Sequence, residues 1–223
     1  MFDTIFSENL TSKLIQKTSC ELINKFNTPI DICEIGCGNG NISNFLIKNQ
    51  KNKNNYFLSD ISEKSVNAAK KNINYSKIKF KTGQFLYPWH GYKFDLIICD
   101  ISAINDDVAR KSNWYNGVIC DAGLDGLKNV SIVLKNIKNY LNISGYFILP
   151  LISLSDHKKL KENLKFYFES IIEVNKTDWP LPNFFQDNIH QFESLKKLGL
   201  IDFNQSFGIN IAFTSVIVCS KIK

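Results

Sequence analysis

Between Asp31 and Asn41 the chain reads D-I-C-E-I-G-C-G-N-G-N, with glycines at 36, 38 and 40 directly behind a short apolar run. Ile30, Ile32 and Ile35 are β-branched, and Thr28-Pro29 closes off any helix before them, so they predict a short buried strand. Asn41 then opens an amphipathic run through Phe45, Leu46 and Lys48, which predicts a helix. Strand, glycine turn and helix start form the first half of a nucleotide-binding βαβ unit. Glycine suits such a turn because it accepts positive φ and leaves no Cβ between backbone and ligand.

Spacing narrows the ligand. A pyrophosphate turn reads G-x-G-x-x-G, with its third glycine one turn into the helix. Here an acid precedes a tighter order, Glu34-Ile35-Gly36-Cys37-Gly38-Asn39-Gly40. A carboxylate at the strand end would repel a pyrophosphate and attract an amino group. A glycine turn that binds nothing would look the same, so the next βαβ element must arbitrate. Tyr56 to Asp60 predicts the second strand, with Asp60 at its end about 20 residues past the turn, where an acid meets ribose hydroxyls. Asp60 also stands where it can cap the helix starting at Ile61-Ser62-Glu63-Lys64, and the two roles are compatible.

The stretch from Glu34 to Gly40 resembles the first motif of the class I S-adenosylmethionine-dependent methyltransferases, an acid followed by x-G-x-G-x-G. The resemblance runs over roughly residues 5–222. It implies an α/β fold, a Rossmann-like three-layer sandwich around a seven-stranded, mostly parallel sheet with an antiparallel last strand. It also implies S-adenosylmethionine as cofactor. Glu34, Gly36, Cys37, Gly38 and Gly40 would hold its methionine end. Asp60, Ile61, Gln84, Phe85 and Asp100 would hold the rest, with Gln84 at the adenine amino group in place of the family's usual acid.

The remaining elements follow the same pattern. Residues 8–26 carry a helical stripe, Leu10, Leu14, Ile15, Cys20, Leu22, Ile23 and Phe26. The lead-in Phe6-Ser7 and Thr11-Ser12 resembles a segment that lies over the cofactor in small-domain methyltransferases. Ile78 to Thr82 predicts a third strand, and Phe94 to Asp100, apolar on both faces, a central fourth. Relatives that methylate amides and base amines carry N/D-P-P-Y/F after that strand. This chain keeps Asp100 but reads Ile101-Ser102-Ala103 beyond it, which argues against that acceptor type. Leu124 to Tyr140 predicts a helix opened by Asp125-Gly126-Leu127, similar to a D-G-L of those relatives. Tyr146 to Ile152 and Ser170 to Asn175 predict strands five and six, with a helix capped at Ser155-Asp156-His157 between them. Ile209 to Ile222 fits the antiparallel edge that separates methyltransferases from dehydrogenases.

At 223 residues, 44% of them hydrophobic, the chain reads as one domain over 1–223. It has no apolar run of membrane-spanning length. The opening M-F-D-T-I-F-S-E-N-L lacks a secretory pattern, so a cytoplasmic location is expected. Cys20, Cys33, Cys37, Cys99, Cys120 and Cys219 form no C-x-x-C and read as reduced, mostly buried side chains, with no metal site expected. A net charge of +6 would suit nucleic acid. The lysines at 70, 71, 158, 159, 161 and 165 alternate with Glu63 and Glu162 on helical faces, however, as solvated surfaces do. The expected partner is therefore a small-molecule or peptide acceptor, with nucleic acid disfavoured and no membrane.

Two insertions follow strand ends on the ligand side, at about 101–123 and 177–205, and read as lids. Trp114, Tyr115, Trp179, Phe184 and Phe185 either wall a pocket there or pack the insertions together. Arg110 is the only arginine among 27 basic residues. Its planar fork suits a carboxylate or phosphate, or else a structural pair with Asp106, Asp107 or Asp121. Methyl transfer asks of a protein alignment, water exclusion and, for some acceptors, a base. A carboxylate needs only a clamp, so the expected catalytic set is Asp100, Arg110 and Tyr115, with O-methylation of a carboxylate. A hydroxyl acceptor would need Asp100, Asp121 or His190 as base. The alternatives are N-methylation of a protein side chain, RNA methylation, and a module that binds S-adenosylmethionine without chemistry.

Overall fold

A computed structural model describes residues 9–115 and 120–223. Its parallel strands are β1 (Asp31–Ile35), β2 (Asn55–Asp60), β3 (Ile78–Thr82), β4 (Phe94–Cys99) and β5 (Leu141–Ile152). They are followed by β6 (Phe168–Pro180), β7 (Asn204–Ser206) and β8 (Ile209–Ile222). The spatial order is β3-β2-β1-β4-β5-β8-β6, with β7 paired to β8. β8 runs antiparallel to β5 and β6. The chain direction across the sheet reverses between β1 and β4, so their carboxyl ends frame a crevice.

Side-chain alternation divides the core. Cys33, Ile35, Phe57, Ile97 and Cys99 face α5 (Lys128–Asn136) and α6 (His157–Tyr167), whose Val130, Val133, Leu134, Leu160 and Leu164 bury against them. Ile32, Tyr56, Leu58, Leu96 and Ile98 face α1 (Leu10–Ile23), α2 (Asn41–Asn49) and α3 (Glu63–Asn72), through Ile15, Leu22, Ile42, Leu46 and Ala69. Each fully buried aliphatic side chain of this kind contributes about 2 kcal/mol. The period of two puts Glu34 on the same face as Ile32, toward α2. All six cysteines are free thiols, four of them buried.

The insertions hold α4 (Asp106–Lys111), α7 (Asn183–Asp187) and α8 (Ile189–Lys197). They meet in a third apolar cluster around Ile104, Val108, Phe185, Phe192 and Phe203. Phe185 and Phe192 stack at 3.8 Å, and Trp114 packs edge-on against Trp179 and Phe184. Four of the five aromatics that could wall a pocket thus join the insertions instead, and only Tyr115 lines the central cleft. Phe6-Ser7 and part of the first insertion lie outside the described residues.

Several elements differ from expectation, β5 among them, which starts at Leu141 rather than Tyr146. The sheet gains β7 as an eighth strand. β6 continues past Asn175 because that residue takes φ 53° at a register shift, after which 177–180 pair with β8. These four residues are strand, not lid. The helix expected from Leu124 begins at Lys128, because Asp125-Gly126 makes a corner. There the Asp125 carboxylate accepts from Leu127 N–H and from Lys159 Nζ, while Gly126 takes φ 73°. A Cβ on Gly126 would lie 2.6 Å from that of Ser155. The D-G-L is a packing corner against the start of α6. No described helix is long and apolar enough to cross a membrane.

Candidate active site

A cleft of about 570 Å³ opens at the carboxyl ends of β1, β2 and β4. Its floor is the glycine turn. Gly36 and Cys37 N–H both donate to Ser59 O, at 2.9 and 3.0 Å, which stitches the turn to the end of β2. Gly36, Gly38 and Gly40 have φ of 75°, 51° and 81°. Asp60 completes the stitching: Oδ2 accepts from Gly38 N–H at 2.9 Å and Oδ1 from Ser62 N–H at 2.8 Å. The cap of α3 itself is Ser62, whose Oγ accepts from Ser65 N–H. Asp60 therefore links the second strand to the turn rather than capping the helix.

Glu34 is buried beneath the turn, and one carboxyl oxygen accepts from both Ser43 N–H, at 3.1 Å, and Ser43 Oγ. Burial pushes its carboxyl up to about 8 against the pull of Ser43, and the neighbouring Asp100 and Asp60 push it the same way. Asp100 is raised to about 6 by burial, opposed by a 3.0 Å bond from Ser12 Oγ–H at the start of α1. Ser43 was not legible as a site residue: it looks like any polar residue in a first helical turn.

These raised values carry a sign. Glu34 holds more protons folded than unfolded, so the free protein loses stability as pH rises from about 4.5 to about 8. Asp100 adds a loss between about 3.8 and 6. A cation placed in the cleft favours both ionised forms, so its binding should tighten with rising pH and release protons. The expected result is a larger S-adenosylmethionine-induced rise in unfolding temperature at pH 8.5 than at pH 6, with a smaller pH effect for uncharged-sulfur S-adenosylhomocysteine. Equal rises at both pH values would contradict the carboxylates' share in binding.

One side of the cleft is set by the turn after β3. Ser59 Oγ accepts from Trp89 Nε1–H at 3.1 Å and donates to Phe85 O at 3.3 Å, holding Phe85 at φ 51°. Gln84, Phe85 and Ile61 line the cleft there. On the opposite side stand Asp100, Ser102, Tyr115, Asp121 and Asn129. Tyr115 is hydrogen-bonded to Cys120, which also accepts from Ser102, and burial raises its phenol. Asp121 holds Lys128 at 2.5 Å.

The cleft brings together Glu34, Gly36, Cys37, Gly38, Asp60, Ile61, Gln84, Phe85, Asp100 and Tyr115. Gly40 lies just below as the N-cap of α2. Arg110 and His190 do not join them. Arg110 Nη2 bonds Asp107 at 2.7 Å, one turn away on α4, with its side chain 68% exposed. That is the structural pair rather than the clamp. His190 is 98% exposed on α8 beside Glu193.

A model of the family described as "Methyltransferase domain" matches residues 27–197, most of the chain. The chain belongs to this family of class I S-adenosylmethionine-dependent methyltransferases. Solved structures agree on the fold. A ribosomal-protein methylase from Lactobacillus delbrueckii subsp. bulgaricus has TM-score 0.57 at 16% identity, over 97% of this chain and 81% of its own. The plantazolicin methyltransferase BpumL, solved with S-adenosylhomocysteine, has TM-score 0.51 at 14% identity, over 93% and 82%. The tRNA methyltransferase TrmK of B. subtilis has TM-score 0.50 at 11% identity, over 96% and 67%. A comparison with curated protein sequences returns no match. The chain is a methyltransferase, with S-adenosylmethionine as its cofactor. The cleft suits that molecule: its volume is in the range of cofactor pockets, its floor is backbone without Cβ atoms at the glycines, and a carboxylate ends β2.

Proposed function

We propose that the cleft transfers a methyl group to a nitrogen nucleophile, an amine or amide N–H, rather than to a carboxylate. One observation carries this reading. On the side beyond Asp100 the described wall holds a second carboxylate (Asp121), hydroxyls and an amide but no cation. The lysine that lines the cleft, Lys64, stands with Asp60 and Ser62 at the start of α3, and Arg110 is engaged by Asp107 outside the cleft. An anionic acceptor about 4 Å from ionised Asp100 would be repelled by about 4 kcal/mol at an effective dielectric of 20, roughly a thousandfold in affinity. An N–H acceptor gains a hydrogen bond at the same place. The missing prolines change the rigidity of the segment after Asp100, but its backbone carbonyls and the Asp100 carboxylate remain as acceptors.

When bound, S-adenosylmethionine supplies a methyl group on an activated sulfur. The chain's part is to align and to dry the site. Asp60 and the turn would fix the adenosine end, Tyr115 would close the wall, and Asp100 would orient the nitrogen lone pair and take up the N–H proton. Its carboxyl near 6 suits that exchange close to neutral pH. The second expectation concerns Arg110→Lys, which should leave turnover within about twofold, because the Arg110–Asp107 pair is an exposed surface contact screened by solvent. A carboxylate clamp would lose at least tenfold. In parallel, methyl label transferred from the radiolabelled donor to fractionated extract should survive mild base. Loss of the label as methanol would identify an ester and overturn the nitrogen reading.

A further inference from the structure

Sheets of this type are covered by helices on both faces, yet between β3 and β4 the chain makes only a single 3₁₀ turn, Tyr87–Trp89. Phe57, Trp89, Tyr92 and Phe94 form an aromatic layer in place of a helix. Two lysines lie across it. Lys79 Nζ is 5.3 Å from the ring centres of both Phe57 and Tyr92, and Lys81 Nζ is 4.8 Å from Trp89 and 5.5 Å from Tyr92. Their stems cover apolar rings while the ammonium groups stay at the surface, that of Lys81 donating to Pro88 O at 2.7 Å.

Lys77 continues this row at the base of β3. Lys93 and Lys138 flank the same end, where Lys93 Nζ donates to Lys138 O at 3.3 Å. All five are exposed, and none makes an ion pair among the described residues. On α6, by contrast, Lys159 and Lys161 are neutralised by Asp125 and Glu173. The expectation against nucleic acid came from lysines on helical faces, of which Lys159 and Lys161 are paired; the row on β3 lies on a strand and is different. Lysines on an edge strand also deter sheet-to-sheet pairing. That accounts for Lys79 and Lys81, but Lys93 and Lys138 lie on no edge strand.

We propose that this row docks the phosphate backbone of a nucleic-acid strand and leads it toward the cleft. Alternate residues of a strand are about 6.6 Å apart, comparable to successive phosphates along one strand. The upper end of β3 passes directly into Gly83 and Gln84, which line the cleft. Charge carried on rigid, ring-supported stems loses little conformational freedom on binding. The docking stands apart from the choice of acceptor atom, since it needs neither Asp100 nor the cofactor.

The test uses the full chain and a fluorescent 20-nucleotide single strand of mixed sequence, as RNA and as DNA. Competitors are heparin and phosphatidylglycerol vesicles. Binding should weaken with salt, with a log–log slope near −3.5 for five phosphates at about 0.7 each. The triple variant Lys77→Gln, Lys79→Met, Lys81→Met keeps apolar stems over the rings. It should bind at least tenfold more weakly, with the slope reduced to about −1.4 by the two lysines left, while retaining S-adenosylhomocysteine binding. Should it fail to fold, Lys93→Gln with Lys138→Gln serves instead and should lose about threefold. Removing three lysines elsewhere (Lys70→Gln, Lys158→Gln, Lys165→Gln) should change binding less than twofold. Absence of oligonucleotide binding at low salt, equal loss in both triple variants, or preference for vesicles or heparin would each overturn the proposal.

Discussion

Gly36→Ala is expected to lower the unfolding temperature by about 10 °C and to abolish cofactor binding at room temperature. The added Cβ would lie 2.4 Å from Asp100 O, 2.9 Å from Ile101 Cγ2 and 3.0 Å from Asp100 C. Two of these are backbone atoms, and neither side can yield cheaply. Asp100 N–H is bonded to Ile35 O at 3.1 Å, and Gly36 N–H to Ser59 O at 2.9 Å, so the turn is clamped between β4 and β2. Positive φ for alanine adds about 1–2 kcal/mol. Gly91→Ala is the control, since Gly91 has φ 84° but an alanine methyl there would meet nothing within 4 Å. It shares the conformational penalty without the clash and should shift the transition by only about 2–4 °C per kcal/mol lost. Equal shifts for the two variants, measured by thermal unfolding, would show that close approach to Asp100 is not what fixes glycine at 36.

The contrast between these glycines bears on what was readable in the chain. Spacing singled out Gly36, Gly38 and Gly40 because a tight strand-to-helix turn has local requirements, and local requirements leave local patterns. Asp60 was legible for the same reason, being a fixed distance past the turn and at a strand end. The mostly parallel sheet with its antiparallel last strand could be anticipated from the motif resemblance. Boundaries set by tertiary partners were not legible. Pairing of 177–180 with β8 overrides the irregularity at Asn175, and the corner at Gly126 answers to Ser155, nearly thirty positions along the chain. Arg110 misled for a comparable reason: rarity in a composition says nothing about direction, and only α4 places its guanidinium over Asp107. Ser43 and Ser59 escaped notice because a hydroxyl that orients a carboxylate or a loop has no sequence signature beyond its type.

Asp60→Ala is expected to weaken S-adenosylhomocysteine binding by about a hundredfold or more while the fold persists. Both carboxyl oxygens already receive backbone donors, Gly38 N–H and Ser62 N–H, at 2.9 and 2.8 Å. Each oxygen has a second lone pair left for a ribose hydroxyl. Hydrogen bonds to a charged group are worth about 1.5–3 kcal/mol, so two lost to ribose amount to roughly 3 kcal/mol or more, two decades in affinity. The same loss could arise if alanine merely let the turn sag, because Gly38 N–H would then lack a partner. Ligand truncation separates the two. The folded wild type should bind adenosine more tightly than 2′,3′-dideoxyadenosine, and Asp60→Ala should bind both alike. A variant that weakens both ligands equally, and so keeps the wild-type preference in calorimetry, would assign Asp60 to the turn alone and leave the ribose to other groups of the cleft.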